Sequence, residues 1–234
     1  MKTRFLAALA VGLILVSALQ SAAAQNFDAG VDFIVALPQN EFRDNIDDEG
    51  YGVSGHFGYF IGESPLMVGV DFGYLNYGTS RRFVPLSPDI PEVTLRVETS
   101  NNILLVHGFL RLQPQQGAIR PYVQGLFGLK YLFTRSSVLD DFFGDPIFSS
   151  TNFDDLAGSW GVGTGLDIRL WENHRRRGVA DVSLHLGANY LWGAEAEYLR
   201  KGSILRDPDG NVTFLVFRSP TPILVPAAGV RLRF

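Results

Sequence analysis

Apolar and polar residues alternate along most of this chain with a period of two, the period of an extended strand whose successive side chains point to opposite sides. The cleanest stretch is 180–192. There Ala180, Val182, Leu184, Leu186, Ala188, Tyr190 and Trp192 face one way and Asp181, Ser183, His185, Gly187 and Asn189 the other. The C-terminal stretch repeats the pattern, with Leu224, Ala228, Val230, Leu232 and Phe234 opposed to Ala227, Gly229, Arg231 and Arg233. Pro220, Pro222 and Pro226 each lack a ladder donor. The last strand is therefore expected to bend near 219–222, which separates a protruding segment (212–217) from a strand over 223–234.

The same alternation predicts six earlier strands. They cover 29–37, 51–61, 66–77, 92–112, 120–134 and 154–171, with one apolar face throughout and aromatic residues such as Phe72, Tyr74, Tyr131 and Phe133 towards the strand ends. The stretch 92–112 exceeds the 9 to 11 residues that a tilted membrane strand needs, so its first half, Val93 to Glu98, is expected to project. Connections alternate between long (38–50, 79–91, 135–152, 200–211) and short (62–65, 113–119, 172–178). The polar stretch 38–50 shows no apolar period, and 79–91 carries three prolines, so both read as loops. An even strand number with long loops at one end and short turns at the other predicts an all-β fold: a closed antiparallel eight-stranded transmembrane β-barrel, an up-and-down meander.

The N-terminus fits that reading. Lys2 and Arg4 precede an apolar run from Phe5 to Leu19 and then Ser21-Ala22-Ala23-Ala24, so residues 1–24 are expected to be a signal peptide and 25–234 the outer-membrane barrel domain. Both barrel termini are then periplasmic. The sequence holds 25 glycines, 18 phenylalanines and no cysteine, which suits closely packed strands and excludes disulfides. A net charge of -4 with interspersed signs gives no footprint for nucleic acid.

Charged residues fall on the inward face. Asp32, Asp71, Asp167 and Asp181 are matched by Arg111, Lys130, Arg169, Arg231 and Arg233, with His56, His107, His185 and Gln124 among them. Buried charge is tolerated when paired, and eight strands enclose just enough room for side chains. The interior is therefore expected to be mostly plugged by a lumen charge network. Glycines on the inner face of 159–165 make room for bulky neighbours. The basic turn His174-Arg175-Arg176-Arg177 is expected to be solvated.

Chemistry was weighed on the same face. Asp181, Ser183 and His185 supply the residue types of nucleophilic catalysis, but positions two apart on a strand are about 7 Å apart, so no catalytic residues are assigned. Of the four histidines, His56, His107 and His185 lie on strands that are not neighbours and His174 on the basic turn, and no metal site, cofactor or nucleotide motif is expected.

The alternating strands over 180–192 and 223–234 and the terminal Phe234 resemble the small eight-stranded outer-membrane barrels of the OmpA transmembrane-domain and OmpX type. The resemblance implies an outer-membrane location and Phe234 as a signal read by the barrel-assembly machinery. Lipid and lipopolysaccharide are then the surroundings, and an extracellular protein or surface the partner, with no nucleic acid. The chain ends at the barrel, so cell-wall anchoring is not expected. A structural or surface-interaction role through the loops is the leading expectation. A narrow small-solute or ion channel is the alternative, ahead of a lipid-modifying enzyme or a soluble periplasmic ligand-binding barrel.

Overall fold

The computed structural model describes residues 26–46, 48–87, 90–139, 146–173, 178–206 and 212–234. The expected leader, the basic turn 174–177 and the tips 140–145 and 207–211 lie outside them. Eight long strands form a closed ring. In ring order these are β1 (Phe27–Pro38), β2 (Gly50–Phe60), β3 (Leu66–Ser87), β4 (Ile90–Leu112), β5 (Ile119–Leu139), β6 (Pro146–Glu172), β7 (Asp181–Gly193) and the C-terminal strand β12 (Ile223–Arg233). Every neighbouring pair is antiparallel, and the ring closes where β1 pairs with β12, from Asp28↔Arg233 to Pro38↔Ile223. Closure removes both free edges, which hydrocarbon could not satisfy.

Two connections expected to be loops are largely strand. β3 runs on to Ser87 and pairs with β4 beyond the barrel, Ser80↔Thr99 and Val84↔Leu95 among the pairs. Its pairing with β2 stops at Tyr51↔Asn76, so the projecting part of β3 is an edge, where Pro85 costs no second ladder. Likewise β5 and β6 continue as a hairpin through Ser137↔Ser149, beyond the last β6–β7 pair at Ser159↔Gly193. The third correction is a short helix, α1 (Asn40–Asn45), inside the stretch 38–50. One turn and a half is too short to show a period, yet it buries Phe42 completely.

The bend in the last stretch lies where the prolines place it. The connection from β7 to β12 contains β8 (Glu195–Tyr198), β9 (Ile204–Arg206), β10 (Val212–Phe214) and β11 (Phe217–Pro220). β8 pairs with β11 and β9 with β10, in two small sheets outside the ring. The projecting segment is thus two short pieces, not one strand.

Outward positions carry exposed apolar and aromatic side chains around the whole wall. Near the short-turn end Phe27 stacks on Phe57 at 5.3 Å and lies 5.1 Å from Tyr59. Towards the hairpin end Tyr190 meets Trp192 edge-on at 5.0 Å, and Tyr131 stacks on Phe133 at 5.2 Å. Two aromatic belts with an apolar band between them are what a barrel wall presents to a bilayer. Among the described residues no helix is long and apolar enough to cross a membrane.

Candidate functional site: a filled lumen under a capped mouth

The inward side chains divide the lumen into two layers. The layer towards the short turns is ionic. Five acids, Asp28, Asp32, Asp71, Asp167 and Asp181, share the lumen with five cations, Arg111, Arg120, Lys130, Arg231 and Arg233. Arg120 bonds Asp181 through both prongs, Nη1 to Oδ2 at 2.7 Å and Nη2 to Oδ1 at 2.9 Å, and also donates to Ser183. Arg231 lies 2.9 Å from Asp32 and within 2.9 Å of both His56 Nε2 and His185 Nδ1. The same two ring nitrogens lie 2.7 Å from Asp28 and Asp32 respectively. One ring nitrogen cannot both donate and accept, so the proton position on each histidine selects carboxylate or guanidinium.

The remaining members close the layer. Asp167 accepts from Gln113 Nε2 at 2.6 Å. Arg233 donates to the Gln115 carbonyl at 2.6 Å and lies 4.6 Å over the Phe60 ring. Arg111 is held by Gln124 at 2.8 Å and sits between two rings, 4.9 Å from Phe109 and 4.3 Å from Tyr122.

Of the positions assigned to the network by sequence, Asp32, Asp71, Arg111, Lys130, Asp167, Asp181, Arg231 and Arg233 lie in the lumen. Arg169 does not join them. It sits where the β6–β7 register slips between Arg169 and Trp171, remains partly exposed, and pairs with Glu172 at 3.0 Å at the end of its strand. It pairs with Ser183 in the ladder and keeps the parity of Asp167, but it lies at the short-turn rim of β6, where its side chain reaches solvent and Glu172 instead of the lumen. Asp28, Arg120 and Gln113 escaped the sequence reading. Asp28 shares the parity of Asp32 but precedes the expected strand, which opens at 29, whereas Arg120 opens the expected strand 120–134 with the parity of Tyr122 and Gln124, so its signal was present and unused. Gln113 lies past the end of β4, where no period applies.

The layer towards the hairpins is apolar, which the alternation alone did not suggest. Inward positions there are Ile34, Leu75, Ile103, Leu105, Leu132, Leu191 and Val225, all buried. One cation crosses this layer. Lys130 of β5, fully buried, donates to the Leu191 carbonyl at 3.2 Å and the Thr221 carbonyl at 2.5 Å, on and beside the opposite strands.

Above it the mouth is covered. Phe42 of α1 meets Tyr198 edge-on at 5.0 Å. The Tyr198 hydroxyl accepts from Asn45 at 2.9 Å and lies 2.7 Å from Ser219 Oγ, while Tyr77 donates to the Leu199 carbonyl at 3.1 Å. Burial holds the Tyr77 phenol well above the usual tyrosine range, so it is a donor at any physiological pH. Gln39 N–H to Pro222 O at 3.0 Å ties α1 to the start of β12.

Ser183 and Asp181 come closer than their strand spacing suggests, with Ser183 Oγ donating to Asp181 Oδ1 at 2.9 Å because the two side chains lean together. His185 is turned the other way, to Asp32 and to Tyr122 Oη at 2.8 Å. Ser183 and His185 therefore do not form a nucleophile and base. No group of metal-ligating side chains occurs among the described residues.

A closed eight-stranded ring with a lipid-facing wall and a filled ionic lumen defines a small outer-membrane barrel. The model of the outer membrane protein beta-barrel domain matches residues 6–211, and the chain belongs to that family. Among solved structures it is similar to the Neisserial surface protein A, at 17% identity and a TM-score of 0.46, covering 89% of this chain and 97% of that one. Ail, the attachment invasion locus protein of Yersinia pestis, shares 13% identity with a TM-score of 0.33 over 89% of this chain and 97% of that one. The N-terminal barrel domain of Pseudomonas aeruginosa OprF shares 11% with a TM-score of 0.28, covering 88% and 97%. No curated protein matches significantly.

Proposed function

We propose that this outer-membrane protein acts at the cell surface, through the hairpins that project beyond its barrel, as an interaction or attachment protein. The termini and short turns are then periplasmic, the hairpins extracellular, and residues 1–24 the export signal. The observation that carries the reading is the contrast between the two ends of the interior and the hairpins above it. The lumen is occupied by paired charge and by packed apolar side chains beneath a cap, while the β3–β4 and β5–β6 arms reach past the ring with Phe83 and Phe148 exposed. Exposed aromatics on a projecting arm suit recognition. An open solute path would instead need continuous solvent through the apolar layer.

The test replaces residues 138–148 by an Asn-Gly turn between the register partners Ser137 and Ser149, a change that suits a two-residue hairpin. Expected are normal assembly, seen as a heat-modifiable gel band, and loss of cell binding to host surfaces or matrix protein. Binding that survives the replacement refutes the role assigned to this arm. Stepwise current from the intact protein in a planar bilayer would favour the channel alternative.

A further inference from the structure

Pairing accounts for most of the lumen charge. Arg120 is matched with Asp181, Arg231 with Asp32, and Arg233 lies 3.5 Å from Asp28. Asp167 has Gln113, and Lys130 has two carbonyls. Arg111 has only the Gln124 amide, through Nε, and Asp71 is left over. Arg111 is only 2% exposed, yet its Nη1 has no hydrogen-bond partner among the described residues. No described residue makes a hydrogen bond or ion pair to the Asp71 carboxylate either. The two do not meet directly, since Asp71 is opposite His107 in the β3–β4 register and Arg111 is opposite Met67, four residues away.

Both residues line one enclosed cavity of about 20 Å³ at the junction of the ionic and apolar layers, together with Asp32, Gln124 and His185 on the polar side. That volume holds one water molecule and little more. The lining chemistry selects among small occupants. A free anion would face Asp32 and Asp71, a bare cation would face Arg111 and Arg231, and an apolar guest would leave a guanidinium nitrogen and a carboxylate unsatisfied. A neutral molecule that accepts at one side and donates at the other meets every requirement.

We infer that this cavity is a built site for a single ordered water that accepts a hydrogen bond from Arg111 Nη1 and donates one to Asp71, completing the lumen network through solvent. The guanidinium is pre-positioned for it. Stacking between Phe109 and Tyr122 and the bond to Gln124 fix its plane, so the free Nη1 cannot swing away to another acceptor. The bridge also explains how the leftover pair of opposite charges can stay apart inside a membrane protein, because a water-mediated contact is enthalpically close to a direct one.

The experiment is a crystal structure of the detergent-refolded chain at a resolution that shows ordered solvent, with water-to-side-chain cross-relaxation in the same protein by NMR. Expected is one solvent peak within hydrogen-bond distance of Arg111 Nη1 and an Asp71 oxygen, and a cross-peak from water to the Arg111 guanidinium protons. In Asp71→Leu, whose side chain fills the cavity, both should be lost while the heat-modifiable band remains. A direct Arg111–Asp71 ion pair, a dry cavity, or a peak with the short distances of a metal ion overturns the inference. If the leucine variant does not assemble, the wild-type map alone decides between these outcomes.

Discussion

Arg120 and Asp181 meet through two parallel hydrogen bonds in a lumen where the arginine side chain is 1% and the aspartate side chain 9% exposed. A bidentate guanidinium–carboxylate pair is the strongest form of this contact, but desolvation offsets much of its attraction. What matters is therefore the consequence of leaving one partner alone. Arg120→Met should cost ~3–5 kcal/mol of barrel stability, read as a shift in the urea midpoint of the folded gel band. Arg120→Met combined with Asp181→Leu should recover most of that loss. A double variant as unstable as the single one would show that the pair stabilises in itself.

Lys130 links β5 to the far side of the mouth through two carbonyls and no carboxylate. Lys130→Met removes a buried charge along with the bonds, so overall stability should change by less than ~2 kcal/mol. The connection over 193–222 should nevertheless loosen, because its tie at Thr221 is gone. Limited proteolysis of the refolded variant is expected to cut within that connection several-fold faster than in the wild type, with the rest of the barrel resistant. Equal cutting rates would mean that Phe42 and Tyr198 hold the connection unaided.

Phe42 is the aromatic plug of the cap, wholly buried against Tyr77 and Tyr198. Truncating a buried phenylalanine to alanine typically costs ~3–5 kcal/mol. The cap is a local unit outside the ring, so Phe42→Ala should leave the unfolding midpoint of the barrel nearly unchanged. The expected loss is in amide exchange protection of residues 40–46 and 195–199, measured by hydrogen exchange. Unchanged protection there would mean that the hydrogen bonds to Tyr198, not the ring, carry the cap.

Gly187 faces the lumen at a place where an added Cβ would run into the Tyr122 hydroxyl, with His185 Nε2 at 3.0 Å behind it. Both atoms belong to the ionic layer and have no room to retreat, so a branched side chain overpacks the site. Gly187→Val is expected to lower the yield of heat-modifiable barrel at least several-fold. Gly125→Ala, outward with nothing within 4 Å of the new atom, should refold as the wild type does.

The ring and its inward charges were legible because they obey one period, and a lumen of paired charge needs only parity to be read. Arg169 shows where parity is not enough, since it keeps the inward parity of Asp167 but lies at the rim of the strand, within reach of solvent and Glu172. Helix α1 was invisible because six residues cannot display a 3.6-residue repeat, and its one buried anchor, Phe42, looks in sequence like a stray aromatic among acids. The arm over 79–91 reads as a loop in sequence because of its prolines, which a strand with a single neighbour tolerates and a central strand does not. The apolar layer around Ile103 and Leu132 was hidden for a different reason. Strands with apolar residues on both faces lose the contrast that tells inside from outside.

The pairing of β1 with β12 joins residues 28 and 233, on the first and last strands of the ring. Such a contact is as non-local as the sequence allows, and non-local contacts form slowly. Arg231 and Arg233 arrive on that same last strand, so Asp32 and Asp28 wait for their counter-charges until the ring shuts. The final seam is therefore both a mechanical and an electrostatic event. A chain halted before it would carry unmatched carboxylates towards hydrocarbon, which gives this barrel a built-in check against inserting half-made.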